Sequence, residues 1–286
     1  MSLRKIDLIN RARTRRQGRK KRIGMLMTPV IGITTQVIRR AKWYKYIGEL
    51  GFDAVEINRQ NSKLHFNRFF LEKVKRYLEG FDISLHSGTA GIFQQTESFT
   101  SANLATLTAE VDVCRFLGSR QLVFHLNDGF MSIEEKKHLK QVISYAVDSG
   151  VEMLFESNST LVARYAYDVL ESFPELGYVL DLGHLNNGYG NNRLGCEIDT
   201  FVDTVRDRVV YVHASNNSGR RDEHEGLEHG TLDWRRILTM LDLSRIQKII
   251  LEVRSVEMVD TSRTKLMQFL GADVPMQQYR FVGFGR

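Results

Sequence analysis

The chain has 286 residues, 42% hydrophobic and 26% charged, which is ordinary for a globular protein and long enough for one large core. No run of 18 apolar residues occurs and the N-terminus lacks an apolar signal core, which argues against a membrane span and against secretion. The formal net charge of +6 resides in residues 1–22, with ten Lys/Arg and one Asp; the remainder carries 30 basic and 33 acidic residues.

In chain order, residues 1–22 form a basic arm. Such an arm either adds phosphate-backbone affinity for a nucleic acid or is a solvated extension. From residue 23 to 286 we expect one domain. Short apolar runs alternate there with longer amphipathic stretches. "RIGMLM" (22–27) reads as a strand and leads through Pro29 and Gly32 into a helix near 35–50. Strands are then expected at 52–58, 81–87, 120–126, 151–157, 176–184, 208–215 and 247–255. Helices are expected between and after them, near 66–79, 99–117, 132–149, 160–172, 196–206, 233–242 and 256–269. The strands are continuous apolar runs, as in a parallel sheet buried on both faces. Gly51, Gly118 and Gly150 stand where helices should stop. Eight strand–helix units at this length predict a (β/α)8 TIM barrel. No GxGxxG or Walker-type phosphate loop is present, which weakens a doubly wound alternative. Cys114 and Cys196 form no CxxC motif, in keeping with a reducing, cytoplasmic setting.

A barrel places its chemistry at the C-terminal ends of its strands. The third to eighth predicted strands close on His86, His125, Glu156, Asp181, His213 and Glu252. His184 follows Asp181 by three residues, and Asp222 and His224 lie in the loop after His213. Carboxylates crowded on one rim repel each other and lose water, a cost that divalent cations offset. Imidazole with carboxylate suits zinc, manganese or iron. Each piece alone has a plain structural explanation, a hydrogen-bonded histidine or a capped turn. Five of the eight histidines falling in these positions is what points to a metal site. Glu56, at the second strand, could reach the pocket, but a carboxylate there more often pairs with a neighbouring strand's cation, and it is left out of the ligand set. Arg220 and Arg221, beside Asp222, are candidates for contacting a substrate phosphate.

The pieces "SLHSG", "VFHLND", "LFESN", "VLDLGH", "YVHASNN", "RRDEHEG" and "ILEV" resemble those of the xylose isomerase-like TIM barrels. Within that superfamily they are most similar to the endonuclease IV family of metal-dependent abasic-site endonucleases. The resemblance spans residues of about 23 to 255. It implies up to three zinc ions. His86 and His125 would hold one, with Glu156 bridging to a second completed by Asp181, His213 and Glu252. His184, Asp222 and His224 would hold the third. It implies hydrolysis of a DNA phosphodiester at an abasic site. Two features favour the alternative, isomerisation or epimerisation of a small sugar or sugar phosphate, with Glu156 and Glu252 as proton-transfer groups. The chain after His86 reads "HSGTAG" where endonuclease IV continues into Ala-Pro-Tyr, and the body is slightly acidic. "RRDEHEGLEHGTLDW" also resembles sugar phosphate isomerases, in which Gly230, Asp233 and Trp234 open a helix. Asp233 is expected as a helix N-cap and Trp234 as packing.

Overall fold

The computed structural model describes residues 28–38, 41–58, 66–89 and 97–272. The basic arm and the C-terminal "QQYRFVGFGR" stretch lie outside them. Eight parallel strands close a barrel in sequence order, each paired with the next and β8 with β1. β1 is Val30–Thr34, followed by a 3-10 helix at Ala41–Leu50, β2 at Ala54–Ile57 and α1 at Arg68–Tyr77. β3 (Asp82–His86), α2 (Glu97–Leu117), β4 (Gln121–His125), α3 (Ile133–Asp148), β5 (Glu152–Glu156) and α4 (Ala163–Ser172) come next. β6 (Gly177–Asp181) runs directly into α5 (Leu182–Gly190), with α6 (Ile198–Val205) after it. β7 (Val209–Ala214), α7 (Trp234–Thr239), β8 (Lys248–Leu251) and α8 (Val256–Phe269) complete the barrel.

The local causes are visible in the sequence. Asn67 caps α1 through its side-chain oxygen, and Ser132 and Glu135 form a reciprocal capping box on α3. Gly51, Gly118 and Gly150 adopt φ of 79°, 77° and 70°, the left-handed stop expected of them.

The first strand differs from expectation. The stretch 22–27 lies outside the described residues, and β1 is formed by Val30–Thr34, where the sequence predicts the connection through Pro29 and Gly32 to the first helix. Gly32 is there for space: an ideal Cβ would stand 2.4 Å from Ile250 Cδ1 and 2.8 Å from the Ala54 carbonyl oxygen. Its four neighbours in the strand are all β-branched, which favours extended backbone. The following helix is correspondingly shorter than the expected 35–50.

Two buried layers matter for the site. The large core lies between sheet and helices. A second, separate cluster fills the barrel itself: Ala54, Val123, Leu154, Val179, Tyr211 and Ile250. Side chains alternate along a strand, so the residue two positions on points inward again, one layer nearer the C-terminal rim. Those residues are Glu56, His125, Glu156, Asp181, His213 and Glu252. On β3, His86 follows buried Ser84 in the same way.

Candidate metal centre

The alternation gathers the acid and imidazole groups into one layer above the apolar plug. His86, His125, Glu156, Asp181, His213 and Glu252 are all buried. Strand register puts His125 beside Glu156 and Asp181 beside His213. Glu156 lies at the centre. Its Oε2 is 3.1 Å from His86 Nε2 and 3.5 Å from His125 Nε2. Its Oε1 is 3.2 Å from His213 Nδ1 and 3.3 Å from His184 Nδ1. His213 Nδ1 also stands 3.2 Å from Glu252 Oε2 and 3.7 Å from Asp181 Oδ2.

Two of the expected ligand groups are therefore compact, His86 with His125 and Glu156, and Glu156 with Asp181, His213 and Glu252. The third is more open. Asp222 Oδ2 lies 3.4 Å from His184 Nε2 and 3.3 Å from His224 Nε2, so one oxygen links the two rings.

The histidines are oriented by their second nitrogens. Nδ1 of His86, His125, His184 and His224 faces the carbonyl oxygen of Ser87, Glu156, Ser157 and Glu252 respectively, at 2.8–3.2 Å. Donation of Nδ1–H there leaves Nε2 with its lone pair toward the cluster. His213 is reversed: its Nε2 faces Glu56 Oε2 at 3.1 Å, and Nδ1 faces the carboxylates.

The loop after β7 is a built scaffold rather than solvated surface. Asn216 and Asn217 are buried, and Asn216 pairs with Glu225 through both backbone groups. Asn217 donates to the Gly183 carbonyl and Asn186 donates to Asn217, tying the loop to α5. His224 takes a left-handed φ of 49°, a conformation uncommon outside glycine and asparagine-like residues. Gly230 presses on Asn216, and Asp233 caps α7 by accepting the Arg236 N–H at 3.1 Å. Trp234 is buried edge-on against Phe269. Arg220 and Arg221 stand exposed on the same loop, with no salt bridge among the described residues.

The carboxylates of the layer favour protonated imidazole rings, and a metal ion taking those nitrogens would displace the protons. Burial pushes the Glu156 carboxyl up, but the imidazoles of His213 and His125 outweigh it and hold it well below the usual range. Burial disfavours the charged His213 ring, yet Glu56, Glu156 and Glu252 raise it well above 6.5. Against the same desolvation, Asp181 and Asp222 lift His184 to about 10, and Asp222 lifts His224 to about 9. Glu252 is raised, by burial first. The buried atoms His213 Nδ1, Asp181 Oδ2 and Asp222 Oδ1 have no hydrogen-bond partner among the described residues. Unpartnered imidazole nitrogen and carboxylate oxygen converging in one buried layer fit a divalent cation of the zinc or manganese type.

Glu56 is the residue that sequence reasoning set aside. It is fully buried in the ligand layer, and its ion-pair partner is the ring of His213 itself. The available signal was the pattern: it closes β2 two residues after inward-facing Ala54, as the others close their strands. Glu110 on α2 was also missed; it holds the turn after His86, accepting from Ser87 Oγ at 2.5 Å and Gly88 N at 2.7 Å.

A closed eight-stranded parallel barrel is also the fold of a known family. The xylose isomerase-like TIM barrel family model matches residues 44–268, and the chain belongs to that family. Among curated proteins none matches it in sequence. Solved structures share the fold. A D-tagatose 3-epimerase-like protein is 18% identical with a TM-score of 0.67, covering 85% of this chain and 97% of its own. A Thermus thermophilus protein soaked with zinc chloride is 20% identical with a TM-score of 0.68, covering 84% and 98%. The 3-keto-D-glucoside 4-epimerase of E. coli is 18% identical with a TM-score of 0.62, covering 85% and 100%.

Proposed function

We propose that the chain is a metal-dependent isomerase or epimerase acting on a small sugar or sugar phosphate. The observation that carries this reading is the placement of Glu156 and Glu252. They come from β5 and β8 and approach one atom, His213 Nδ1, each at 3.2 Å. Epimerisation at a carbon next to a carbonyl takes a proton from one face and returns one to the other, whereas aldose–ketose isomerisation can use a single carboxylate. Two carboxylates meeting at a single ion site supply a group for each transfer. Glu156, Asp181, His213 and Glu252 would hold the ion, which when bound polarises the substrate's oxygens. One glutamate then accepts the carbon-bound proton while the other returns one, and the burial of both excludes competing water. The epimerase names of two fold neighbours are consistent with this class. A divalent metal is the cofactor of this reading, and the zinc-soaked neighbour is consistent with zinc.

The test is incubation of metal-loaded protein with ketoses, 3-keto sugars and their phosphates in D2O. Deuterium entering one carbon, and stopping on chelation, is the expected result. No exchange with any of them, while bound metal is confirmed, overturns the reading.

A second reading, hydrolysis of DNA at abasic sites, is favoured by one observation. Asp222 with His184 and His224 extends the donor set beyond the four that an isomerase needs. Chelator-sensitive nicking 5′ to an abasic site in a duplex would decide for it. DNA as a partner and a role for the basic arm stand or fall with that result.

A further inference from the structure

We infer that Glu56 is a positioning carboxylate that fixes which nitrogen His213 presents to the metal. The inference rests on the metal centre proposed above. Four site histidines direct Nδ1 at a backbone carbonyl and Nε2 at the cluster. His213 has no such arrangement. Its Nε2 meets Glu56 Oε2 at 3.1 Å, and its Nδ1 is the atom facing Glu156, Glu252 and Asp181. A carboxylate beside Nε2 accepts the Nε2–H, which leaves the Nδ1 lone pair free for an ion and makes the ring a better donor.

Glu56 is itself held in place. The Tyr211 hydroxyl donates to the same Oε2 at 2.8 Å, and Ser84 Oγ lies 2.7 Å from that hydroxyl. Ser84, Glu56, Tyr211 and His213 are all fully buried, so they form a polar column inside the barrel. The column spans β3, β2 and β7, and its upper end is the metal layer. Tyr211 also belongs to the apolar plug, which anchors the column from below. Glu56, His86 and His213 have donor atoms close enough to hold an ion themselves. Two facts favour positioning over ligation. Of the two Glu56 oxygens, Oε2 already serves two donors, and only Oε1 has no hydrogen-bond partner among the described residues. The opposite face of the His213 ring offers three carboxylates, against one on the Glu56 face.

The test is metal titration by calorimetry, using zinc or manganese, on wild type, Glu56→Gln, Tyr211→Phe and the reference variant Asp181→Asn. Glu56→Gln is isosteric and is expected to weaken the central ion by about 10- to 100-fold without changing stoichiometry. Tyr211→Phe should weaken it less. Wild type that binds no metal would remove the metal centre altogether. Wild-type binding with unaltered affinity in Glu56→Gln would overturn this inference alone. Loss of one whole equivalent in that variant would make Glu56 a ligand and overturn it as well. A measurement on unaltered protein guards against misfolding of the variants. In 113Cd-loaded, 15N-labelled wild type, His213 should show coupling from cadmium to Nδ1 and a protonated Nε2. Coupling to Nε2 would refute the assignment.

Discussion

Asp181 Oδ1 accepts the backbone N–H of His184 at 2.7 Å, while Asp181 Oδ2, in the ligand layer, has no hydrogen-bond partner among the described residues. One carboxylate thus ends β6, caps α5 and offers an oxygen to the cluster. The two duties separate by substitution. Asp181→Asn keeps a capping oxygen and loses the anionic donor, whereas Asp181→Ala loses both. Both variants should lose central metal. In metal-free protein, Asp181→Ala should be the less stable by about 1 kcal/mol, the usual worth of a cap. Urea unfolding in chelator, with elemental analysis of the loaded proteins, checks both halves; full metal content in Asp181→Asn would contradict the ligand role.

Asp222 belongs to a loop whose backbone is secured elsewhere, by the Asn216–Glu225 pairing and the Asn217 contacts to α5. Removing its side chain should therefore lower metal content without unfolding the barrel. Native mass spectrometry of Asp222→Ala reads the stoichiometry directly. An unchanged number of ions would eliminate the site built from His184, Asp222 and His224.

Gly32→Ala should destabilise the barrel by about 1–3 kcal/mol, the usual cost of overfilling a packed interior. The new methyl would collide with Ile250 Cδ1 and with Ala54, on the strands flanking β1. Chemical denaturation measures this, and a neutral result would mean that β1 shifts to make room.

Deleting residues 1–22 should leave the melting temperature unchanged. The barrel closes through β1 pairing with β8, and both lie within the described residues. A large drop on differential scanning calorimetry would show that the arm contributes to stability.

Much of the rim was legible because several strands are apolar runs that close on an acid or imidazole, as in "QLVFH" and "GYVLD". The elements that escaped did so for local reasons. β1 contains Gly32 and follows Pro29, both ordinary turn signals, and only the neighbours on β2 and β8 explain the glycine. α5 is spelled "LGHLNNGYG", poor in helix formers. Its helix depends on the Asp181 cap and on Asn186 and Asn187 bonding to other loops, contacts invisible in one dimension. Glu56 was set aside because a strand carboxylate commonly pairs with a cation; here the partner proved to be a site histidine.

The cluster of Ala54, Val123, Leu154, Val179, Tyr211 and Ile250 beneath the ligand layer turns the barrel into a cup rather than a tube. Among the described residues the layer is closed from below, so an ion or a reactant would approach it from the C-terminal rim. A reactant seated there blocks the exit of any ion below it, so bound substrate should slow stripping of the metal by a chelator. Under the proposed reaction, accumulating product would compete with substrate for that same approach.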